Sequence, residues 1–165
     1  MAHPVCSRNG SHILEAAKHE SIKIHEKGTY IVMEGPQFST KAESEIYRKW
    51  ECDVIGMTNM PEAKLAREAE ICYTSVAMVT DFDCWHPNHE NVTVDAIIKV
   101  LTANAANAKK LIKRFVPFFL NDNNSENCTC KKALDNAIIT SPGMRSKEVM
   151  DKLSSILTRL NYNSN

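Results

Sequence analysis

The hydrophobic positions along the chain follow two spacings in turn, one typical of strands and one typical of helices. Three short apolar runs are typical of buried strands: GTYIVMEGP (28–36), CDVIGM (52–57) and CYTSVAMVT (72–80). The first two are each followed by a segment with apolar residues three or four apart, which predicts a helix. The third run is apolar almost throughout, as expected where both faces of a sheet are covered. This order predicts an α/β fold with a mainly parallel sheet flanked by helices.

The starts of the shorter helices are marked by capping residues and by a proline. Thr40 and Glu43 have the spacing of a capping box before the helix that follows the first strand. Pro61 stands near the first turn of the helix that follows the second strand. An earlier helix is predicted in SHILEAAKHESI (11–22), with Ser11 as its N-cap.

A long amphipathic helix is predicted from Thr93 to about Pro117. Its apolar stripe is expected to pack in the core and consists of Val94, Ile97, Ile98, Leu101, Ala105, Ala108, Ile112 and Phe115. The polar segment NDNNSENCTC (121–130) predicts a loose linker, and SKEVMDKLSSILTRL (146–160) predicts a terminal helix. These patterns divide the chain into a partial α/β domain over 1–120 and a linker with a helical tail over 121–165.

The charge balance narrows the choice of partner. The 165-residue chain has 20 Lys and Arg residues and 20 Asp and Glu residues, so its formal net charge is zero. Proteins that bind nucleic acid or an anionic membrane usually carry a basic surface, so neither partner is expected. No apolar run reaches the roughly 18 residues of a membrane span, and the N-terminus lacks the apolar core of a signal peptide. We therefore expect a cytoplasmic protein with a small-molecule partner.

The six cysteines stand at unrelated spacings, and none belongs to a CxxC pair. This distribution argues against a zinc site and against a disulfide framework, so reduced cysteines and no metal are expected. Cys128 and Cys130 form a CxC in the polar linker, where a solvent-exposed pair is favoured over a metal or redox role.

Three loops are the candidates for a ligand site, because open α/β sheets bind ligands beyond the carboxyl ends of their strands. They are EGPQFST (34–40), MTNMPE (57–62) and TDFDCWH (80–86), and they should face one crevice. Their chemistry suits a purine nucleoside, since they offer an aromatic surface, a soft apolar face, two hydroxyls and two acids: Phe38, Met57, Ser39, Thr58, Asp81 and Asp83. A protonated Asp can donate to purine N7 and help the base leave in its neutral form.

Other interpretations of the same residues stay open at this point. Phe38 and Met57 could belong to the core, where such residues are more often found. Asp81 and Asp83 could cap a turn, or they could hold a divalent metal ion together with His86 or His89.

The joint occurrence of several motifs adds a family resemblance. EGPQFS, AES, GMTNMPE, AREA and TDFDCW lie in order between residues 34 and 85. In this combination the chain strongly resembles the 5′-methylthioadenosine phosphorylases of the trimeric purine nucleoside phosphorylase group. The resemblance runs from about Met1 to Phe115 and becomes weak after Leu120. It implies the C-terminal part of the mixed sheet of a nucleoside phosphorylase, without the N-terminal strands.

The reaction that the resemblance implies is phosphorolysis of methylthioadenosine to adenine and 5-methylthioribose 1-phosphate, with adenosine as a further substrate. Asp81 would be the acid at N7, and Asp83 would orient it and recognise the 6-amino group. Relatives that cleave 6-oxopurines have Asn where Asp81 stands, so the acid implies adenine. No cofactor is implied, and inorganic phosphate is the co-substrate.

The remaining site residues are implied by the same resemblance. Phe38 and Ser39 would contact the base, Met57 the ribose, and Thr58 the phosphate and the sugar hydroxyls. Val94 and Ile97 would line the methylthio pocket.

The resemblance also implies a homotrimer in the cytoplasm, with the nucleus as an alternative location. The family's first strands, Gly-rich phosphate loop and Arg-His pair are expected before the segment that matches Met1, which leaves Thr58 as the phosphate ligand here. The alternative to an active enzyme is therefore an inactive fragment that binds adenine or interacts with an oligomer.

Four positions depart from the family pattern. Gln37 stands where Arg is common, and Asn59-Met60 replaces Thr-Val, which would change the loop contacts and the ribose floor. Glu70 stands where a helix-ending Gly is common, so a residue with a side chain is expected at a left-handed turn.

Overall fold

The protein is mostly helical, with one small parallel sheet. A computed structural model describes residues 1–87, 93–123 and 125–160. The helices and strands in chain order are α1 (Ser7–His19), β1 (Tyr30–Val32), α2 (Lys41–Lys49), β2 (Val54–Gly56), α3 (Asn59–Glu68), α4 (Val94–Leu120), α5 (Lys147–Lys152) and α6 (Ser154–Leu157). Single 3-10 turns cover Ser125–Asn127, Thr129–Lys132, Pro142–Met144 and Thr158–Leu160. Within the described ranges no helix is long and apolar enough to cross a membrane.

The first two predicted strands are confirmed, and they pair in parallel. The register joins Tyr30 to Val54 and Val32 to Gly56. At the entrance to the sheet, the amide of Thr29 donates to the Asp53 carboxylate at 2.6 Å. The Tyr30 hydroxyl occupies the space that a side chain at position 56 would need, which explains the glycine in the second strand. Because the strands are parallel, the loops that leave them start at the same sheet edge.

The third predicted strand is wrong, since the described residues contain a two-stranded sheet and the segment 72–80 has no strand pairing. Instead, its carbonyl groups accept hydrogen bonds from other elements. Tyr73 O accepts from the amide of Cys6 at 2.7 Å, and Val79 O accepts from the Asn104 side chain at 2.9 Å. An apolar pattern reflects the type of side chain, whereas a strand also needs an adjacent strand to pair with. In the described part of the chain, 72–80 has no such partner.

Helix α1 begins one turn earlier than predicted. Cys6 is its N-cap, and Ser11 lies inside the helix, where its hydroxyl donates to Ser7 O at 3.2 Å. The reason is a tertiary contact, because the amide of Cys6 bonds to Tyr73 and holds the start of the helix in place. A capping pattern in the local sequence cannot predict this contact, because Tyr73 is distant in the chain.

Helix α4 has the predicted start, but its end and its packing differ from expectation. Thr93 caps it by accepting from the amide of Ala96, whereas the helix continues through Pro117 to Leu120. In the expected core stripe, Val94 is 71% exposed and Ile112 is 61% exposed, and Leu111 is the buried residue. The reason is length. Helix α1 packs on α4, but α1 has 13 residues and is about 20 Å long, whereas α4 has 27 residues and is about 40 Å long. Helix α1 therefore covers only one part of α4.

The contact between α1 and α4 forms the larger apolar cluster. Ala16, Ala17 and Leu111 are its buried members, with Ile13, Ile22, Ile24, Phe115 and Phe118 packed around them. Arg114 closes its edge with an ion pair to Glu20 at 2.8 Å. The two alanines are 0% exposed, so the helix backbones approach closely there.

The tail also differs from prediction. The expected single terminal helix is broken at Leu153 into α5 and α6. The expected loose linker contains two 3-10 turns, and its CxC pair is buried rather than exposed, with Cys128 at 9% and Cys130 at 5%. Tertiary contacts therefore order a segment that its composition assigns to solvent.

Glu70 connects this tail to the rest of the chain. It has the expected left-handed backbone, with φ at 55°. Its carboxylate accepts from the amide of Leu134 at 2.9 Å and from Arg159 at 2.5 and 2.6 Å, and its side chain is 10% exposed. Hydrogen bonds from Arg159 lower the pKa of Glu70 below its ordinary value. Glu70 therefore adopts a backbone conformation that glycine adopts more easily, and in return its side chain binds the tail.

The pKa of Glu70 leads to a pH-dependent prediction. Because the folded state lowers this pKa, the ion pair stabilises the fold above the ordinary pKa of 4.5 and loses that contribution as the pH falls through the lowered value. Glu70→Gln should therefore lower the urea midpoint at pH 7 and have a smaller effect at acidic pH. Glu148→Gln, at a 77% exposed pair with Lys152, is the matched control and should change little. An equal gap between Glu70→Gln and wild type at both pH values would contradict the prediction.

The capping box of α2 is confirmed, and it gives a second prediction. The Thr40 hydroxyl accepts from the amide of Glu43 at 3.3 Å, and the Glu43 carboxylate accepts from the amide of Thr40 at 2.7 Å. Thr40→Ala should lower the free energy of unfolding by about 1 kcal/mol in urea titrations, while Thr40→Ser should retain most of it. Equal loss in both variants would show that the methyl group, rather than the cap, matters.

Candidate active site

The loops that leave the two paired strands lie against each other. Gly35, just after β1, has a left-handed φ of 78°. The Met57 side chain, just after β2, fills the space beside it, so any side chain at position 35 would collide with the methionine. The left-handed backbone therefore favours glycine where these two loops meet, and a Cβ there would displace the Met57 methyl group.

The third loop is connected to the loop after β1 and to α2 through side-chain hydrogen bonds. The Cys84 thiol lies 3.9 Å from Ser39 O, which connects the loop after the segment 72–80 to the loop after β1. The Ser44 hydroxyl on α2 donates to the Asp83 carboxylate. The structure thus brings the three predicted loops together although 72–80 pairs with no strand among the described residues.

The two acids have different surroundings. Asp83 is half-buried, and besides Ser44 its carboxylate accepts from the amide of Cys84 at 2.8 Å. Asp81 is exposed, and its carboxylate accepts from the neighbouring Thr80 hydroxyl at 2.7 Å. The arrangement fixes the orientation of Asp83 and leaves Asp81 accessible to a ligand.

Ser44 is a site residue that sequence analysis did not single out. It is 1% exposed, which is unusual for a hydroxyl residue on a short surface helix. The available signal was its place in the AES motif, four residues after the capping Thr40. The capping box matters for the site because it sets the start of the helix that carries Ser44 to Asp83.

Aromatic contacts support the loop on its outer side. Phe82 stacks on His86 with ring centroids 4.3 Å apart, and Arg48 on α2 lies 3.8 Å above the Trp85 ring. The amide of His86 also donates to Asp83 O at 3.0 Å. These contacts close the turn around Asp83 from α2 and from within the loop.

The metal alternative for the two acids gains no support. In the described part of the chain, Asp81, Asp83 and His86 do not form a group that could hold a metal ion. His89 lies outside the described residues.

The other predicted site residues lie at the surface around these loops. Phe38 is 82% exposed, so a core role for it is wrong, and Ser39 donates its hydroxyl to the Met33 sulfur at 3.4 Å. Thr58 is exposed at the start of α3, where its side chain makes no capping bond. On the first turn of α4, Val94 is 71% exposed and Ile97 is half-buried.

Asn59, one of the departures from the family pattern, ties α3 to the segment 72–80. It is 8% exposed, and its side-chain oxygen accepts from the Tyr73 hydroxyl at 3.0 Å. The same hydroxyl donates to Glu62 at 2.8 Å. Burial and this carboxylate raise the pKa of Tyr73 to about 12. The phenol therefore stays a hydrogen-bond donor at neutral pH, and Asn59 has a packing role.

Sequence comparison now places the chain among known proteins. A family model described as the phosphorylase superfamily matches residues 1–117. The chain belongs to the phosphorylase superfamily. An S-methyl-5′-thioadenosine phosphorylase from Bradyrhizobium diazoefficiens is 54% identical over 160 residues, covering 97% of this chain and 55% of the relative. The resemblance to methylthioadenosine phosphorylases is thereby confirmed, and the chain is a homologue of these pentosyltransferases.

Solved structures of this phosphorylase family agree. A methylthioadenosine phosphorylase from an antarctic soil metagenomic library superposes with a TM-score of 0.87 at 44% identity, covering 95% of this chain and 55% of that one. The Schistosoma mansoni methylthioadenosine phosphorylase in complex with adenine has a TM-score of 0.72 at 32% identity, covering 81% and 52%. The chain thus matches part of the phosphorylase fold, and it spans about half the length of the curated relatives it matches.

The bond between Ser44 and Asp83 yields a prediction for this homologue. Ser44→Ala removes a buried donor from a half-buried carboxylate, and we expect a loss of about 1–3 kcal/mol in the free energy of unfolding. A double-mutant cycle with Asp83→Ala should show coupling, because each single change removes the same bond. Ser155→Ala, at an exposed helical position, is the control. Additive effects of the two site changes would show that the bond contributes nothing.

Proposed function

We propose that this chain carries the base-binding part of a methylthioadenosine phosphorylase site. The supporting observation is that Ser44 on α2 and the amide of Cys84 fix Asp83 beside an accessible Asp81, in a loop that contacts Ser39 of the loop after β1, in a homologue of these enzymes. We assign residues 1–120 to the C-terminal part of the mixed phosphorylase sheet and 121–165 to a linker and tail. The active form is a homotrimer that contains the whole family fold.

The reaction is phosphorolysis. The bond between ribose C1′ and adenine N9 breaks, a bond between C1′ and a phosphate oxygen forms, and adenine leaves with a proton on the base. Asp81, protonated, donates that proton at N7, so the base departs neutral rather than as an anion. Asp83 accepts from the 6-amino group and keeps Asp81 oriented. Its bonds from Ser44 and the Cys84 amide hold it in place before the substrate arrives.

The surrounding residues bind the nucleoside. The exposed Phe38 ring lies on the base together with Ser39, and Met57 lies against the ribose. Thr58 binds the phosphate and the sugar hydroxyls, and Val94 and Ile97 contact the methylthio group. The transition state places positive charge on the ribose, which the attacking phosphate stabilises, so the reaction needs the phosphate ligands as well as the acid.

The test measures adenine release from methylthioadenosine by the homotrimer that contains this chain within the whole family fold, with and without inorganic phosphate. We expect phosphate-dependent release and a decrease of about 100-fold or more in Asp81→Asn, because the amide cannot transfer a proton. Asp151→Asn on α5 is the control for a surface carboxylate. Release that is independent of phosphate, or unchanged in Asp81→Asn, would refute the assignment.

A second function has its own supporting observation. Several large apolar side chains next to the site are exposed, among them Val76 at 41%, Met78 at 52% and Val79 at 56%. Such a surface suits contact with further protein, and the chain spans about half the length of its relatives. On this alternative the chain binds adenine or joins an oligomer without turning substrate over. Calorimetric binding of adenine by a folded chain that releases none from methylthioadenosine would favour it.

A further inference from the structure

Four of the six cysteines meet at a place that the proposed catalytic site does not use. The sulfurs of Cys6, Cys72, Cys128 and Cys130 all lie within 4.8 Å of one another. They come from the N-cap of α1, from the segment 72–80 and from the turn that begins the tail. Cys6, Cys128 and Cys130 are buried and Cys72 is half-buried, so the group is largely shielded from solvent.

The four cysteines are not joined by disulfide bonds in this structure, and the distances between their sulfurs match another arrangement. Cys128 Sγ lies 3.7 Å from Cys6 Sγ and 3.5 Å from Cys72 Sγ, whereas a disulfide holds its sulfurs about 2.05 Å apart. In a tetrahedral site with Zn–S bonds of about 2.3 Å, neighbouring sulfurs are about 3.8 Å apart. We propose that these four cysteines bind one structural Zn²⁺ ion as a closed tetrathiolate site.

The surroundings suit the charge of such a site. Four thiolates around Zn²⁺ carry a net charge of −2, which needs nearby donors. Arg8 Nη2 lies 3.5 Å from Cys72 Sγ. Asp122 holds the other end of the Arg8 guanidinium at 2.6 Å and thereby fixes its orientation. A cationic group of fixed orientation therefore faces the sulfurs.

The site accounts for the path of the chain around it. Cys6 and Cys128 are 122 positions apart, and Cys72 and Cys128 are 56 apart, so one ion would join three distant segments. The segment 72–80 has no strand partner in the described residues and leads directly into the loop with Asp81 and Asp83. Zinc would fix the start of that segment and hold the tail against it. The inference does not depend on catalysis, because a closed site has no open position for substrate.

The absence of CxxC pairs in the sequence predicts that the chain has no zinc site. That rule detects ligands that come in two close pairs. Here a CxC supplies two ligands and two remote single cysteines supply the others, so spacing alone does not reveal the set.

The experiment uses the chain expressed with added zinc and purified anaerobically under reducing conditions. We expect one zinc per chain by elemental analysis and four sulfur neighbours at about 2.3 Å by X-ray absorption. Cys128→Ser should lose the metal, whereas Cys52→Ser and Cys84→Ser should retain it, because these two cysteines lie outside the cluster. Chelation of the wild-type metal should lower Tm, since structural zinc contributes to folding.

A further variant separates lost ligation from failed folding. Cys130→His should keep one zinc with three sulfur neighbours and one nitrogen, because imidazole is an alternative ligand. Zinc that is absent from the folded wild type, bound by fewer than four sulfurs, or equally lost in Cys52→Ser would overturn the proposal. A disulfide within the cluster of the anaerobically purified protein would also overturn it.

Discussion

The parallel pairing of β1 and β2 is the constraint on which the candidate site depends. It sends two loops out from the same sheet edge, so that Met57 of one packs against Gly35 of the other. Because the strands are parallel, α2 must cross between them, and this crossover brings Ser44 to Asp83. A two-stranded sheet is weak by itself, so the hydrogen bonds of Asp53 and the capped start of α2 are needed to hold the crossover in one geometry.

A second feature of the molecule is that hydrogen bonds from side chains hold segments that backbone pairing would usually hold. The segment 72–80 is held by the side chains of Asn9 and Asn104, together with the backbone amide of Cys6, rather than by a strand ladder. At the other end of the chain, the Glu70 carboxylate replaces an ordinary helix stop with contacts to Leu134 and Arg159. Such contacts are specific, but each depends on a few atoms, so single substitutions there should loosen whole segments.

The proposed zinc site and the proposed catalytic loop lie at opposite ends of the segment 72–80. Cys72 stands at its start and Asp81 directly follows its end. The segment would then be fixed by metal at one end and by the Ser44 contact to Asp83 at the other. This arrangement explains how an unpaired segment could present two acids in a defined orientation.

The sequence by itself determined the local features and the family. Periodicity, the Thr40 and Glu43 box and the Thr93 cap predicted α2, α4 and both paired strands, because such signals act within a few residues. The motifs identified the phosphorylase relationship and placed the acids on one loop. Their roles in catalysis stay predictions.

Only the tertiary structure decided where long-range partners meet. In the structure α1 starts at Ser7, most of the α4 stripe is exposed and the CxC is buried beside Cys6. Among the residues that the structure describes, 72–80 has no strand partner. The physical reason is the same in each case. The hydrophobic pattern and the cysteine spacing describe the chemistry that a residue offers. Burial, strand pairing and metal ligation also require a second segment, and the local sequence does not determine where that segment lies.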